Sequence, residues 1–334
     1  MLARYGKLGV VAVLLAAAAS VPLFTDQQYL LNVLTMIFLF SALGIAWNFI
    51  GGYAAQLSLG HAVFLAIGAY TTIILFTRYH VTPLVGMFVG AVLAVAASVI
   101  IGYPCFRLRG PYFTLSTIAF GEILRILLLH YGNFTGGANG LNIPYRGEQP
   151  WNLQFDSKAS YYWIMLAVLV LFYVLGKVIT TSRIGMYLQA IRDDQDAAES
   201  LGVKTGNVKL TALMISAGLT GLLGAIYACI IGFVDPGSVA STTMSTQIAL
   251  VAIVGGVGTL GGPIVGAAVV TGLTEVTNAW LGATRTGTSL TLYGALLMII
   301  VLTRPAGLIS LVDLIKWPKK SEKPTEPATE VTSR

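Results

Sequence analysis

Residues able to do chemistry are few in this chain, and they stand apart from one another. Glu122 and Arg125 are three apart, a spacing that puts them on one face of a helix, where they can neutralise each other as a structural ion pair. Glu275 has Asn278 three residues on and no basic residue in its apolar run, so it either lines a polar cavity or stays protonated. His61 follows a glycine-rich break, which leaves two readings: a residue on a transit path, or a packing histidine with its hydrogen bonds satisfied. The run Gly256-Val257-Gly258-Thr259-Leu260-Gly261 matches the dinucleotide fingerprint. That fold, however, needs alternating strands and amphipathic helices, whereas this run is apolar on all sides. It reads instead as a break between two apolar segments, with Gly262 and Pro263 opening the next helix. There is no GxxxxGK(S/T) phosphate loop, no HExxH and no GxSxG elbow. Cys105 and Cys229 lie in or beside apolar runs without ligand spacing, so they read as small buried hydrophobes and no metal site is expected.

What must position these residues is a membrane. The chain is 56% hydrophobic and 10% charged, and its mean hydropathy of +0.79 is too high for a soluble globular protein. Apolar runs predict ten spans, at 5–25, 29–50, 57–77, 83–104, 111–131, 161–180, 208–232, 243–257, 263–282 and 288–303. The fold class is therefore an all-α polytopic integral membrane protein with about ten transmembrane helices. Residues 1–25 also carry a signal-peptide pattern, with Arg4 and Lys7 ahead of an apolar core and Ala16-Ala17-Ala18 behind it. Cleavage there would remove one span and leave every other orientation unchanged.

The basic residues orient the spans. With both termini cytoplasmic, fifteen Lys/Arg lie inside or at inner helix ends: Arg4, Lys7, Arg107, Arg109, Lys177, Arg183, Arg192, Lys204, Lys209, Arg304, Lys316, Lys319, Lys320, Lys323 and Arg334. Four lie outside, namely Arg78, Arg146, Lys158 and Arg285, and Arg125 lies within a span. This asymmetry obeys the positive-inside rule, so the pI of 9.3 reports topology and not a nucleic-acid partner. Residues 132–160 then form the largest external segment. The tail 318–334, rich in Lys, Glu, Pro and Thr, cannot bury enough apolar surface to offset its ordering entropy and is expected to be disordered in the cytoplasm.

Between two apolar stretches lies one polar island, Ala190 to Gly202, cytoplasmic in this orientation. Asp193 is expected as N-cap of a short surface helix, with Asp194 and Asp196 in its first turn and Gly202 in the left-handed position after its end. Its flanks, Ser182 to Gly185 and Lys204 to Asn207, read as polar or flexible. A second glycine break, Gly51-Gly52-Tyr53 through Gln56 and Ser58 to His61, falls on the same side as residues 256–262. Interrupted spans of this kind often line transport pathways. Elsewhere Gly86 and Gly90, Gly262 and Gly266, and Gly218, Gly221 and Gly224 have the spacing of close helix packing.

Four stretches together carry a resemblance over nearly the whole length. They are Gly51-Gly52-Tyr53 with Gln56-Leu57-Ser58-Leu59-Gly60-His61; Arg109-Gly110-Pro111-Tyr112-Phe113 with Ala119-Phe120-Gly121-Glu122-Ile123; Thr135-Gly136-Gly137 with Asn139-Gly140-Leu141; and Gly255 to Pro263. On these the chain resembles the M-type permease subunits of bacterial branched-chain amino acid ABC importers; Ala55 departs from the glycine expected there. The resemblance implies an ABC importer permease fold over residues 1–317, in which 181–207 is the cytoplasmic coupling loop. Arg192, Asp193, Asp194, Asp196, Ala197, Ala198, Glu199 and Gly202 would contact ATPase subunits, and Gly51, Gly52, Gln56, Ser58, His61 and Glu275 would be candidates for the pathway. It also implies a second homologous permease, two ATP-binding subunits that hold ATP and Mg, an external substrate-binding protein and a bacterial plasma-membrane location, with no cofactor on this chain. An ion-coupled secondary transporter using Glu122, Glu275 or His61, and an ABC permease for another small solute such as urea, are the alternatives.

Overall fold

The computed structural model describes residues 18–281 except 23, 26 and 109, together with 294, 295, 298 and 307–310. Its helices are α1 (Gln28–Asn48), running into a π-helical turn (Phe49–Tyr53), α2 (His61–Tyr79), α3 (Pro83–Cys105), α4 (Pro111–His130) and α5 (Lys158–Thr181). After these come α6 (Arg183–Asp193), α7 (Gln195–Ser200), α8 (Thr205–Ile231), α9 (Thr242–Gly255) and α10 (Gly262–Leu281). Seven described segments are long and apolar enough to cross a bilayer: α1 with its π turn, α2, α3, α4, α5, α8, and Pro236–Gly255, which ends in α9. The apolar part of α10, Gly262–Thr277, is shorter. The expected spans 5–25 and 288–303 fall mostly or wholly outside the described residues, as do the tail 318–334 and Arg109.

Local sequence sets the ends. Pro83 and Pro111 open α3 and α4, where a missing N–H costs nothing. Ser157 and Ser241 cap α5 and α9 by accepting from Ala159 N and Met244 N, and Gly232 ends α8 in the left-handed conformation. The span expected at 57–77 begins instead at His61. Residues 54–60 are non-helical because Ala55 takes φ +52 and Trp47 Nε1 donates to Ser58 O at 2.8 Å, folding the segment back on α1. A non-glycine residue in that conformation costs on the order of 1 kcal/mol, which is the physical reason glycine suits position 55.

The core is built around α1 and α2, whose spanning windows are 72% and 67% buried, against 22%, 17% and 28% for α3, α4 and α5. α1 packs on α5, α8, α9 and α10, while α2, α3 and α8 form a second contact set. The glycines with packing spacing do pack: a Cβ on Gly90 would lie 3.0 Å from Gly68 Cα, one on Gly224 2.1 Å from Leu65 O, and one on Gly266 1.9 Å from Val251 O.

The two ends of the bundle differ. At one end β1 (Leu141–Asn142) pairs antiparallel with β2 (Phe233–Val234), a small exception to the all-α expectation. There Arg78 donates to the Asn133 and Phe134 carbonyls. Tyr145 donates to Asp156, and that carboxylate pushes the phenol up to about 12. Residues 132–157 thus form a compact cover over the ends of α2 and α8. The other end gathers the π turn, residues 256–262 and α6–α7.

Candidate functional site

The polar island folds as two helices. Asp193 is the last residue of α6, and the N-cap is Asp194, whose Oδ1 accepts from Asp196 N at 2.9 Å and Ala197 N at 3.0 Å. The expectation of Asp193 as cap is corrected by one position: Asp194 has extended backbone, which breaks α6 and starts α7. In the flank Ser182 to Gly185, α6 begins at Arg183. At the other end Gly202 takes φ +87, and Val203 N donates to Ala198 O at 3.1 Å, closing α7 as expected. Lys209, itself buried, donates to Gln195 Oε1 at 2.6 Å, and Thr205 bonds Glu199, so α7 is fixed to the start of α8.

Arg192, Asp193, Asp194, Asp196, Ala197, Glu199 and Gly202 are exposed, as an external contact surface requires. Ala198 is not: at 3% exposure it faces the chain's own interior. Its neighbour Leu201 was missed from sequence and is 86% exposed, the most exposed large apolar side chain of this end among the described residues. The signal was present as a lone leucine closing an otherwise polar helix.

The two glycine breaks meet. Asn48, at the end of α1, donates through Nδ2 to Thr259 O at 2.7 Å and accepts through Oδ1 from Gly258 N at 2.9 Å. A Cβ on Gly52 would lie 1.7 Å from Asn48 Oδ1, and one on Gly51 2.2 Å from the Trp47 ring, so both glycines are needed for close approach. Ser58 is buried too. Gln56 and Glu275 are partly exposed.

His61 is fully buried with both ring nitrogens engaged, by Ser58 Oγ at 3.0 Å and Ser216 Oγ at 2.8 Å. Ser216 donates its own proton to Ala46 O at 2.6 Å, so it accepts from His61 Nε2–H, and Ser58 donates to Nδ1. This neutral tautomer has its partners in place, the arrangement a packing histidine requires. A crevice beside it, lined by Ser58, Gly60, Phe113 and Thr117 among others, measures about 10 Å³, room for one water and far too little for an amino acid.

Glu122 and Arg125 pair as expected, with Arg125 Nε 3.1 and 3.0 Å from the two carboxylate oxygens. The pair is not sealed in the core: the side chains are 43% and 32% exposed, halfway along α4. The outer face of α3, by contrast, is lined by Phe88, Val92, Ile100 and Tyr103. Among the described residues no cluster of three or more His, Cys, Asp or Glu could hold a metal.

A family described as "Branched-chain amino acid transport system / permease component" matches residues 29–301. The chain belongs to this permease family. It is 30% identical over 328 residues, covering 91% of this chain and 75% of the relative, to the high-affinity branched-chain amino acid transport system permease protein LivM of Escherichia coli (strain K12). The LivM protein of Salmonella typhimurium is 30% identical over 326 residues, covering 89% and 74%. No solved structure matches. As a member of the family, the chain is a membrane-embedded permease component of a transport system, a part that is not itself catalytic.

Proposed function

We propose that this permease forms half of the transmembrane pathway of a bacterial ABC importer for leucine, isoleucine and valine. Two ATP-binding subunits, holding ATP and Mg, dock on α7, an external binding protein delivers substrate, and a second homologous permease completes the pore. The observation that carries the reading is α7 itself, a capped helix fixed to α8 that presents Leu201 and a row of acidic side chains to water. The α4 surface supports the second permease. Ionised side chains at mid-bilayer cost at least ~2.5 kcal/mol against lipid, so an exposed Glu122–Arg125 pair fits a polar or protein neighbour better than hydrocarbon. A proton-coupled mechanism through Glu122 or His61 would need those side chains free to load and release protons, and both are engaged, which leaves Glu275 as the candidate for that alternative.

Reconstitution with the partner chains tests the reading. Leucine uptake into proteoliposomes should require ATP and loaded binding protein and should persist when proton and sodium gradients are collapsed. Uptake that follows an ion gradient without ATP would replace this reading with the secondary transporter, and uptake of urea alone would replace the substrate.

The proposed topology has ten spans and both termini in the cytoplasm, with 132–160 external and α6–α7 internal. Cysteines placed at Asn139 and Ser200, both exposed, should differ on intact cells: impermeant thiol reagent should label the first and spare the second. The native Cys105 and Cys229 are buried and give little background. Labelling at Ser200 alone would invert the orientation and remove α7 from the ATPase side.

A further inference from the structure

We infer that Asn48 and Arg192 are positioning residues of transport, linking the docking helices to a yielding turn in the central span. The inference rests on the importer reading above. Three contacts close a triangle. First, α6 packs on the π turn, with Leu188 sharing a buried cluster with Phe49, Ile50 and Tyr53. Second, α6 touches the glycine loop 256–262. Gly258 has φ +75, and a Cβ there would lie 2.0 Å from Arg192 Nη1, so the guanidinium lies against the bare glycine backbone. Third, Asn48 ties that loop to the π turn through the two hydrogen bonds described above.

The π turn and the glycine loop are packed without slack, and the Arg192 side chain rests against them. Gly51 lies against Trp47 and Gly52 against Asn48, and a Cβ on Gly262 would lie 2.4 Å from Gly256 O. Close-packed contacts transmit displacement because they cannot absorb it. What can yield is the π turn, whose extra residue gives the chain a second winding; turns of this type recur at functional sites. A push on α6–α7 from docked ATPase subunits therefore moves Arg192 against the glycine loop. Asn48 passes that movement to the end of α1, the most buried of the described spans, and the loop passes it to α9 and α10.

The test is a double-mutant cycle on the reconstituted importer, reading leucine molecules transported per ATP hydrolysed together with recovery of the assembled complex. Asn48→Ala and Arg192→Ala should each lower that ratio about tenfold, within the range coupling residues reach, while the complex is still recovered. Because the two act in series, the double variant should also lose about tenfold, whereas independent effects would multiply to about a hundredfold. A hundredfold loss in the double variant overturns the relay. So does an unchanged ratio, or a loss of folded complex that lowers uptake and hydrolysis in parallel, since either leaves Asn48 as a fold clamp only. As the smaller change, Asn48→Ser keeps one hydrogen-bonding group and should fall between wild type and Asn48→Ala in ratio; equality with Asn48→Ala at full recovery would count against the clamp. Wild-type protein that shows no ATP-driven uptake would fail the importer reading instead and is seen before any variant is made.

Discussion

Gly68→Val is expected to leave almost no folded permease. Gly68 lies in α2 where α2 crosses α8, and a Cβ on it would sit 1.9 Å from the Gly221 carbonyl oxygen and 2.7 Å from its carbon. Those are backbone atoms, so no rotamer change relieves the clash. Ordinary carbon contacts lie near 3.5 Å, so the helices would have to part by roughly 1–2 Å. Gly90 of α3 also meets Gly68 at this point, and the separation would open all three helices at once. Overpacking in a tight core costs ~1–3 kcal/mol, and contact with backbone puts this change at the upper end or beyond. In lipid no hydrophobic drive between helices compensates, because packing itself is what holds them. Size-exclusion profiles and thermal unfolding in detergent measure the effect. Gly206→Ala is the control: it is in α8 with nothing within 4 Å, and it should be neutral or gain up to ~1 kcal/mol of helix propensity. A monodisperse Gly68→Val protein with wild-type Tm would show that the α2–α8 crossing is looser than the structure describes.

What the sequence discloses about this molecule follows from which signals are local. Hydropathy found α1 to α5 and α8 to α10 because a span must be apolar over its whole length, and the caps Asp194 and Gly202 lie within the island for similar local reasons. The one-residue error at Asp193 arose because two adjacent aspartates are equally good caps, and only the extended backbone at 194 separates them. The start of α2 was misplaced because Leu57 to Gly60 reads as apolar, whereas the hydrogen bond from Trp47 that pulls it out of helix joins residues eleven apart. His61 was ambiguous for the same reason: Ser216, which satisfies it, is 155 residues away. The facing glycine breaks were placed on one side by topology, yet the Asn48 clamp between them was invisible, since an asparagine inside an apolar run carries no mark of its partner. Ala198 was assigned to the contact face and Leu201 left out of it because α7 has only six residues, too few for periodicity to tell the inner face from the outer.

That last confusion determines where the docking surface should be probed. Leu201→Asp is expected to release the ATPase subunits from an otherwise intact permease. A leucine this exposed in the free chain contributes ~1.5–3 kcal/mol when a partner covers it, which is roughly a tenfold to hundredfold change in Kd. Replacing it with aspartate also makes any partner that covers the site desolvate a charge, so the combined loss should reach about a hundredfold or more. The fold has no stake in Leu201, and exposed substitutions of this kind stay within about 0.5 kcal/mol of stability, so membrane insertion and thermal unfolding should match wild type. Ala198→Trp, by contrast, would overfill the inward side of α7 and damage the helix before it tested the contact. Gly202→Val strains a left-handed residue by ~1–2 kcal/mol and should fray α7 with a smaller loss of docking. Titration of purified ATPase subunits onto permease in nanodiscs separates these effects. Wild-type affinity in Leu201→Asp would move the docking surface off α7 altogether, toward the exposed Met186 and Tyr187 of α6.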